Sequence, residues 1–377
     1  MSEIENGSAT RSLPKPIPDR IKEAREAVGL TLDDFAEALG KTRQAVAQFE
    51  NGQTSPSGDT FSKIIEVTGQ PISFFVTSPQ RPVTSGTVFW RSLKRMEQRH
   101  RSRISRRLQW AADIAQLANE YVEFPDVDIP HWDFDPETAV EDDIEAAAEH
   151  LRAYWSLGGG PIGNLADLLE SKGVIIVREN VRCSDMDGLS SWIGGRPYIL
   201  LSGEIKSGPR DLFNLAHELG HVYLHATVDL NNKNLTLIEK QANRFASAFL
   251  MPADTFSKEV IGTSLEFFKS LKRRWGVAIA AMAYRCKDLR LITENQFSYV
   301  FRQMNVQKIR KVEPFDEAFP VCQPQVLGQA IRMIVEHDVI SRSDIESRIG
   351  LNLADVESLC SVEEGFLDQK VVRVQFR

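Results

Sequence analysis

Apolar residues recur at helical spacing from Pro18 to Phe75, in short blocks separated by glycine. The blocks predict helices over 19–28, 32–39, 43–50 and 59–67. Gly29, Gly40, Gly52 and Gly69 stand just past their ends, where a left-handed cap is wanted, and Thr31 and Thr42 stand one residue before helical patterns, as N-caps do. A Pro/Ser/Thr-rich linker covers 77–87, and 91–107 is strongly basic before the pattern turns helical and more apolar up to Tyr121. From Glu141 the period changes. Helices over 142–154 and 162–171 flank a glycine turn at 158–161, and the run Val174-Ile175-Ile176-Val177 predicts a buried strand. Alternating segments 189–193 and 196–201 flank Gly194-Gly195, a two-residue hairpin signal. Helices follow over 210–225, 238–250, 264–274 and 278–286, and the chain from about Asn305 is largely helical without a chemical motif. The expected division is a disordered tail (1–15), a helical domain (16–77), a basic linker and helical connector (78–140), a mixed domain (141–300) and a helical C-terminal region (301–377). No repeat of solenoid period interrupts it.

Composition narrows the class. With 377 residues, 42% of them hydrophobic and 26% charged, the chain has the make-up of a soluble protein of two or three domains. No run reaches the ~18 apolar residues of a membrane span, so no membrane partner is expected, and the polar N-terminus does not predict a signal peptide. Cys183, Cys286, Cys322 and Cys360 are far apart, which argues against a disulfide framework or a cysteine-based zinc finger; a reducing cytoplasm fits best. The net charge of −7 requires any nucleic-acid binding to come from a local patch.

The candidate chemistry lies in His217-Glu218-Leu219-Gly220-His221. Residues four apart share a helix face, so both histidines can hold one metal ion, and Glu218 can act as general base on a water in an open coordination position. Leu212, Leu215, Leu219 and Val222 form a separate, core-facing stripe. Chance would place such a motif in roughly one chain in a hundred of this composition, so a third ligand is needed. The next helical segment offers Glu239, with Asn243 one turn on, placed to bond the free ring nitrogen of a ligand histidine. His225 continues the row as an alternative ligand, and Tyr223 is either an oxyanion donor or a packing residue. His100, His131, His150 and His337 lack partnered spacing and are expected to be ordinary surface residues. The segment 198–201 is either an edge strand for an extended substrate or a core strand.

The runs LAHELGHVYLH (215–225) and EKQANRFASAFLMP (239–252) resemble the ImmA/IrrE family of metallopeptidases, several of which carry an N-terminal helix-turn-helix of the XRE (Cro-like) type; RAYWSLGGGPI (152–162) and DGLS (187–190) also look like multidomain members. The resemblance implies an α+β zincin-like domain behind an all-α helix-turn-helix domain. It implies Zn²⁺ held by His217, His221 and Glu239, Glu218 as base, and site-specific cleavage of a repressor-like protein that relieves repression. Gln241 departs from the pattern, since a second acidic residue is expected there, although not as a ligand.

Segments 32–39 and 43–50 have the length and turn of a helix-turn-helix; Phe35, Ala36 and Leu39 can pack on Val46 and Phe49. The second helix would enter the major groove of operator DNA with Thr42, Arg43, Gln44 and Gln48 exposed, and Asn51 and Thr54 could hold phosphates. QFENG (48–52) and SPS (55–57) resemble XRE-type domains. The other reading is a helical interaction module that reads no DNA. Residues 18–77 carry six Lys/Arg against nine Asp/Glu, the wrong sign for a phosphate-tracking surface. Arg91, Lys94, Arg95, Arg99, Arg101, Arg103, Arg106 and Arg107 could supply the missing charge, grip an acidic partner, or pair with the acidic stretch 137–149. The sequence thus points to a DNA-binding regulator with a zinc endopeptidase domain acting on a repressor-like or toxin partner, with room for a homodimer. Its alternative is a non-proteolytic transcription factor or antitoxin in which the zinc fold senses or grips a partner.

Overall fold

A computed structural model of the chain describes residues 14–78, 97–180, 186–226 and 234–368, and the backbone of 88–90. The order begins with α1 (Pro18–Val28), α2 (Leu32–Leu39), α3 (Arg43–Glu50), α4 (Gly58–Thr68) and α5 (Ile72–Val76), then strand β1 (Val88–Trp90) and the long helix α6 (Gln98–Ala118). Next come α7 (Glu141–Tyr154), α8 (Leu165–Ser171), β2 (Ile175–Glu179), β3 (Gly188–Ile193), β4 (Arg196–Ser202), α9 (Gly208–Leu224) and α10 (Leu235–Leu250). Then follow α11 (Ala253–Glu259), α12 (Leu265–Trp275), α13 (Ile279–Asp288), α14 (Glu294–Val306), α15 (Val326–Glu336), α16 (Arg342–Ile349) and α17 (Leu353–Leu359). The architecture is the multidomain one expected: a helical N-terminal domain, a domain with a small mixed sheet and helices, then further helices.

Local chemistry sets most of these boundaries. Thr31 and Thr42 accept from the backbone N–H of Asp34 and Ala45, which fixes the starts of α2 and α3. Helix α8 starts at Leu165, later than the apolar pattern indicates. Asn164 accepts from the amides of Ala166 (3.1 Å) and Asp167 (3.3 Å), so the preceding residues lie outside the helix.

The sheet order is β1-β3-β4-β2, with β3 antiparallel to β1 and β4, and β2 parallel to β4. Strand β4 is therefore internal, and 198–201 is a core strand, not an edge. Alternation assigns the two faces. Ile175, Val177, Leu189, Tyr198 and Leu200 join a core with α6, α15–α17 and the inner faces of α1–α5. Ile176, Ile199 and Leu201 join a second core with α7–α10 and α12–α14. The sheet is thus a partition, and the C-terminal helices pack on the same side as the N-terminal ones.

Two arginines of the basic segment are engaged within the fold. Arg106 Nε donates to Glu26 Oε2 at 2.8 Å, and the buried Arg107 bridges Glu179 at the end of β2 and Asp355 on α17. Gln70 also donates to Asp355, at 2.6 Å, so one polar node ties the N-terminal helices, α6, β2 and α17 together. The acidic stretch pairs elsewhere, with Glu141 and Glu145 bonded to Arg244 and Glu145 also to Arg285. Arg91, Lys94 and Arg95 lie outside the described residues, as do Cys183 and nearly all of the expected tail.

Candidate metal centre

Helix α9 is locked onto the sheet before any ligand is considered. Arg178 on β2 donates to Asp211 Oδ2 at 2.6 Å, and the same oxygen accepts from the backbone N–H of Cys322 at 2.8 Å. Trp192 Nε1 on β3 donates to Val222 O at 3.0 Å. Helix α10 crosses α9 closely because Gly220 has no side chain. A Cβ there would lie 3.0 Å from Phe245 Cδ1 and 3.3 Å from Ala242 Cα. This crossing brings Glu239 onto the histidine row of α9.

The Nε2 atoms of His217 and His221 are 3.1 Å apart, with Glu239 oxygens 3.4 Å and 3.5 Å from them. Metal–ligand bonds of ~2.0–2.1 Å in a tetrahedron imply ligand–ligand edges of about 3.3–3.4 Å, so the three donors fit a zinc-sized ion. Both histidines are fully buried, whereas the Glu239 side chain is 20% exposed, leaving one open side. Burial pushes the Glu239 carboxyl up, but N–H donation and positive charge from protonated His217 and His221 more than offset this and hold it down at about 2, an effect that a metal cation between neutral imidazoles would supply instead. It is therefore anionic at neutral pH. Asn243 Nδ2 donates to Glu239 O at 2.8 Å, which turns Oδ1 toward His217 Nδ1 at 3.2 Å. With its proton held on Nδ1, a neutral His217 presents the Nε2 lone pair to the centre. Two lone pairs and a carboxylate facing one another repel unless a cation lies among them.

Glu218 is buried against β3, where Ser190 Oγ donates to its Oε2 at 2.8 Å. Gly188 is required beside it, since a Cβ there would come within 2.8 Å of Glu218 Oε1. The sequence marks Gly188 and Ser190 only through the DGLS resemblance, which gives neither a role; strand alternation, which puts 188, 190 and 192 on the α9 face, is the second signal. A cavity of about 1480 Å³ opens beside Asn243, with Asp187, Arg210, Asn214 and Ser247 in its walls. Asn243 is the residue of the centre that lines this space; His217, Glu218, His221 and Glu239 do not.

The remaining candidates separate clearly. His225 lies behind His221, its Nδ1 3.1 Å from His221 Nδ1, because eight residues of helix turn it about 80° off the ligand row. Burial, with the neighbouring imidazoles, pushes His225 well below the usual histidine value. The Tyr223 hydroxyl bonds His150 Nδ1 at 2.8 Å, and burial pushes its pKa up. His150 is accordingly not an ordinary surface residue. It lies against Trp132 (4.9 Å between ring centroids) and Tyr154, and its partner Tyr223 is too distant in sequence for spacing to reveal. His131 and His337 are exposed.

On α3, Thr42, Arg43 and Gln44 are exposed and Gln48 is half-buried. The Thr42 hydroxyl caps the helix, and Arg43 meets Asp33 at 3.2 Å in a pair about two-thirds exposed on each side, too weak to withhold it from a ligand. The N-terminal helices dock through Glu26 of α1 on Arg106 of α6 and through α5 on Gly350, which leaves these residues uncovered.

Residues 169–287 match the IrrE N-terminal-like domain. The matched span runs from α8 into α13 and takes in the sheet, α9 and α10. Residues 21–75 match the Helix-turn-helix family, of the XRE type, and the two stand in the order the sequence predicts. The chain thus carries a helix-turn-helix DNA-binding domain over 21–75 and, after it, an IrrE-like, protease-like domain over 169–287. Comparison with curated proteins finds no match. Among the described residues, no helix is long and apolar enough to cross a membrane. Within the IrrE-like domain, His217, His221 and Glu239 have ligand atoms all within 4.8 Å of one another.

Proposed function

We propose that the chain is a cytoplasmic DNA-binding regulator whose IrrE-like domain is a zinc endopeptidase, cleaving a repressor-like partner protein. Residues 141–300 would form the peptidase unit and 16–77 the DNA-binding unit. The observation that carries the reading is the convergence of two imidazole nitrogens and an ionised carboxylate beside the buried carboxylate of Glu218. His217, His221 and Glu239 would hold Zn²⁺, with Asn243 orienting His217. When bound, Zn²⁺ lowers the pKa of a coordinated water to about 7 and polarises the scissile carbonyl. Glu218, held by Ser190, takes the proton from the attacking water and delivers it to the leaving amine nitrogen.

Two experiments test the halves separately. Cleavage of the partner by the full chain is expected to stop on chelation and return with Zn²⁺; cleavage that survives complete metal removal contradicts the peptidase reading. The full chain should also retard an operator fragment in a salt-dependent way. Arg43→Ala with Gln44→Ala should weaken this about tenfold or more, since each good base contact contributes ~1–3 kcal/mol. An absence of retardation at low salt would refute the DNA role.

A further inference from the structure

Gln241, where the family resemblance leads one to expect an acid, sits at the end of a hydrogen-bond chain that reaches the metal centre. Its Nε2 donates to Pro136 O at 2.7 Å, and that carbonyl can only accept. The amide orientation is thereby fixed, because the flipped form would set two oxygens against each other. Gln241 Oε1 consequently faces His225 Nε2 at 3.1 Å as an acceptor, so the His225 proton resides on Nε2. His225 is fully buried, with the Phe134 ring edge-on at 5.8 Å, and its Nδ1 lies 3.1 Å from His221 Nδ1. A neutral His225 accepts there, so His221 carries its proton on Nδ1 and keeps its Nε2 lone pair.

We propose that Gln241 and His225 are positioning residues, a relay that fixes the tautomer of His221 and keeps its Nε2 aimed at the metal. The inference rests on the zinc centre proposed above. It gives the two ligand histidines the same state by different routes: Asn243 acts on His217 directly, and Gln241 acts on His221 through His225. Either glutamine or glutamate at 241 can accept from His225, but only glutamine also donates to Pro136 O. Methionine, of similar length, can do neither.

The test uses the full chain, with zinc affinity measured by competition against a chromophoric chelator. Gln241→Met is expected to weaken zinc binding about 10–100-fold, the usual effect of losing an outer hydrogen-bond partner, while Gln241→Glu stays closer to the parent because the acceptor remains. Nitrogen-15 spectra of the zinc-loaded parent, labelled at histidine, should place the His225 proton on Nε2 and the His221 proton on Nδ1. These spectra decide the matter even if Gln241→Met does not fold. Parental zinc affinity in Gln241→Met, or a His225 proton on Nδ1 in the parent, overturns the relay alone. A parent that takes up no zinc contradicts the centre itself.

Discussion

Glu218→Gln is expected to retain zinc and lose peptide hydrolysis, with kcat falling about 10²–10⁴-fold, the span general-base groups contribute. The substitution is nearly isosteric, and the glutamine can still accept the Ser190 hydrogen bond made at 2.8 Å. It cannot take a proton from water. The donors at His217, His221 and Glu239 are untouched, so metal content should match the parent. Turnover of the partner under single-turnover conditions, with zinc measured on the same samples, separates the two effects. Parental cleavage by this variant would show that Glu218 is not the base.

The largest loss of stability is expected from Glu145→Ala. Glu145 on α7 accepts from Arg244 at 2.6 Å and from Arg285 at 2.6 Å and 2.8 Å, and the Arg285 side chain is fully buried. Arg285 also donates to Met251 O, so this node ties α7, α10 and α13 behind the metal centre. Removing the carboxylate leaves Arg285 without its counter-charge in the interior, at a cost of about 3–5 kcal/mol. Burial pushes the Glu145 carboxyl up, but Arg285 and then Arg244 outweigh it and hold the pKa below the ordinary value. A depressed folded-state pKa means the stabilisation is complete above the unfolded value, about 4.3, and is lost as pH falls toward the folded one. Urea midpoints across pH 3–7 should therefore fall more steeply for the parent than for the variant at the acid end, while the variant is the less stable at pH 7. Equal midpoints at pH 7 would count against this account of the node.

What the sequence reveals divides along the distance over which each feature is encoded. The caps at Thr31 and Thr42, the hairpin at Gly194-Gly195 and the row of His217, His221 and Glu218 are local patterns, legible because each period or turn spans a few residues. Glu239 was legible because α10 follows α9 and places its acid near the start of an amphipathic helix. The roles of Arg106 and Arg107 stayed open because charge alone cannot distinguish a DNA grip from an ion pair within the fold. Their partners Glu26, Glu179 and Asp355 are brought in only by the tertiary fold. The same holds for His150 with Tyr223, and for Ser190, whose hydroxyl acquires a role only when β3 lies against α9. Strand β4 became internal through the parallel pairing of β2, a long-range choice that an apolar run cannot declare.

The zinc centre itself is tested most directly by zinc K-edge X-ray absorption on the Glu218→Gln variant, which should hold the metal without turning over. The account predicts one zinc per chain, bound by two imidazole nitrogens and by oxygen at about 2.0–2.1 Å, with no sulfur in the shell. Substoichiometric zinc, or a shell containing sulfur or lacking imidazole, would contradict it.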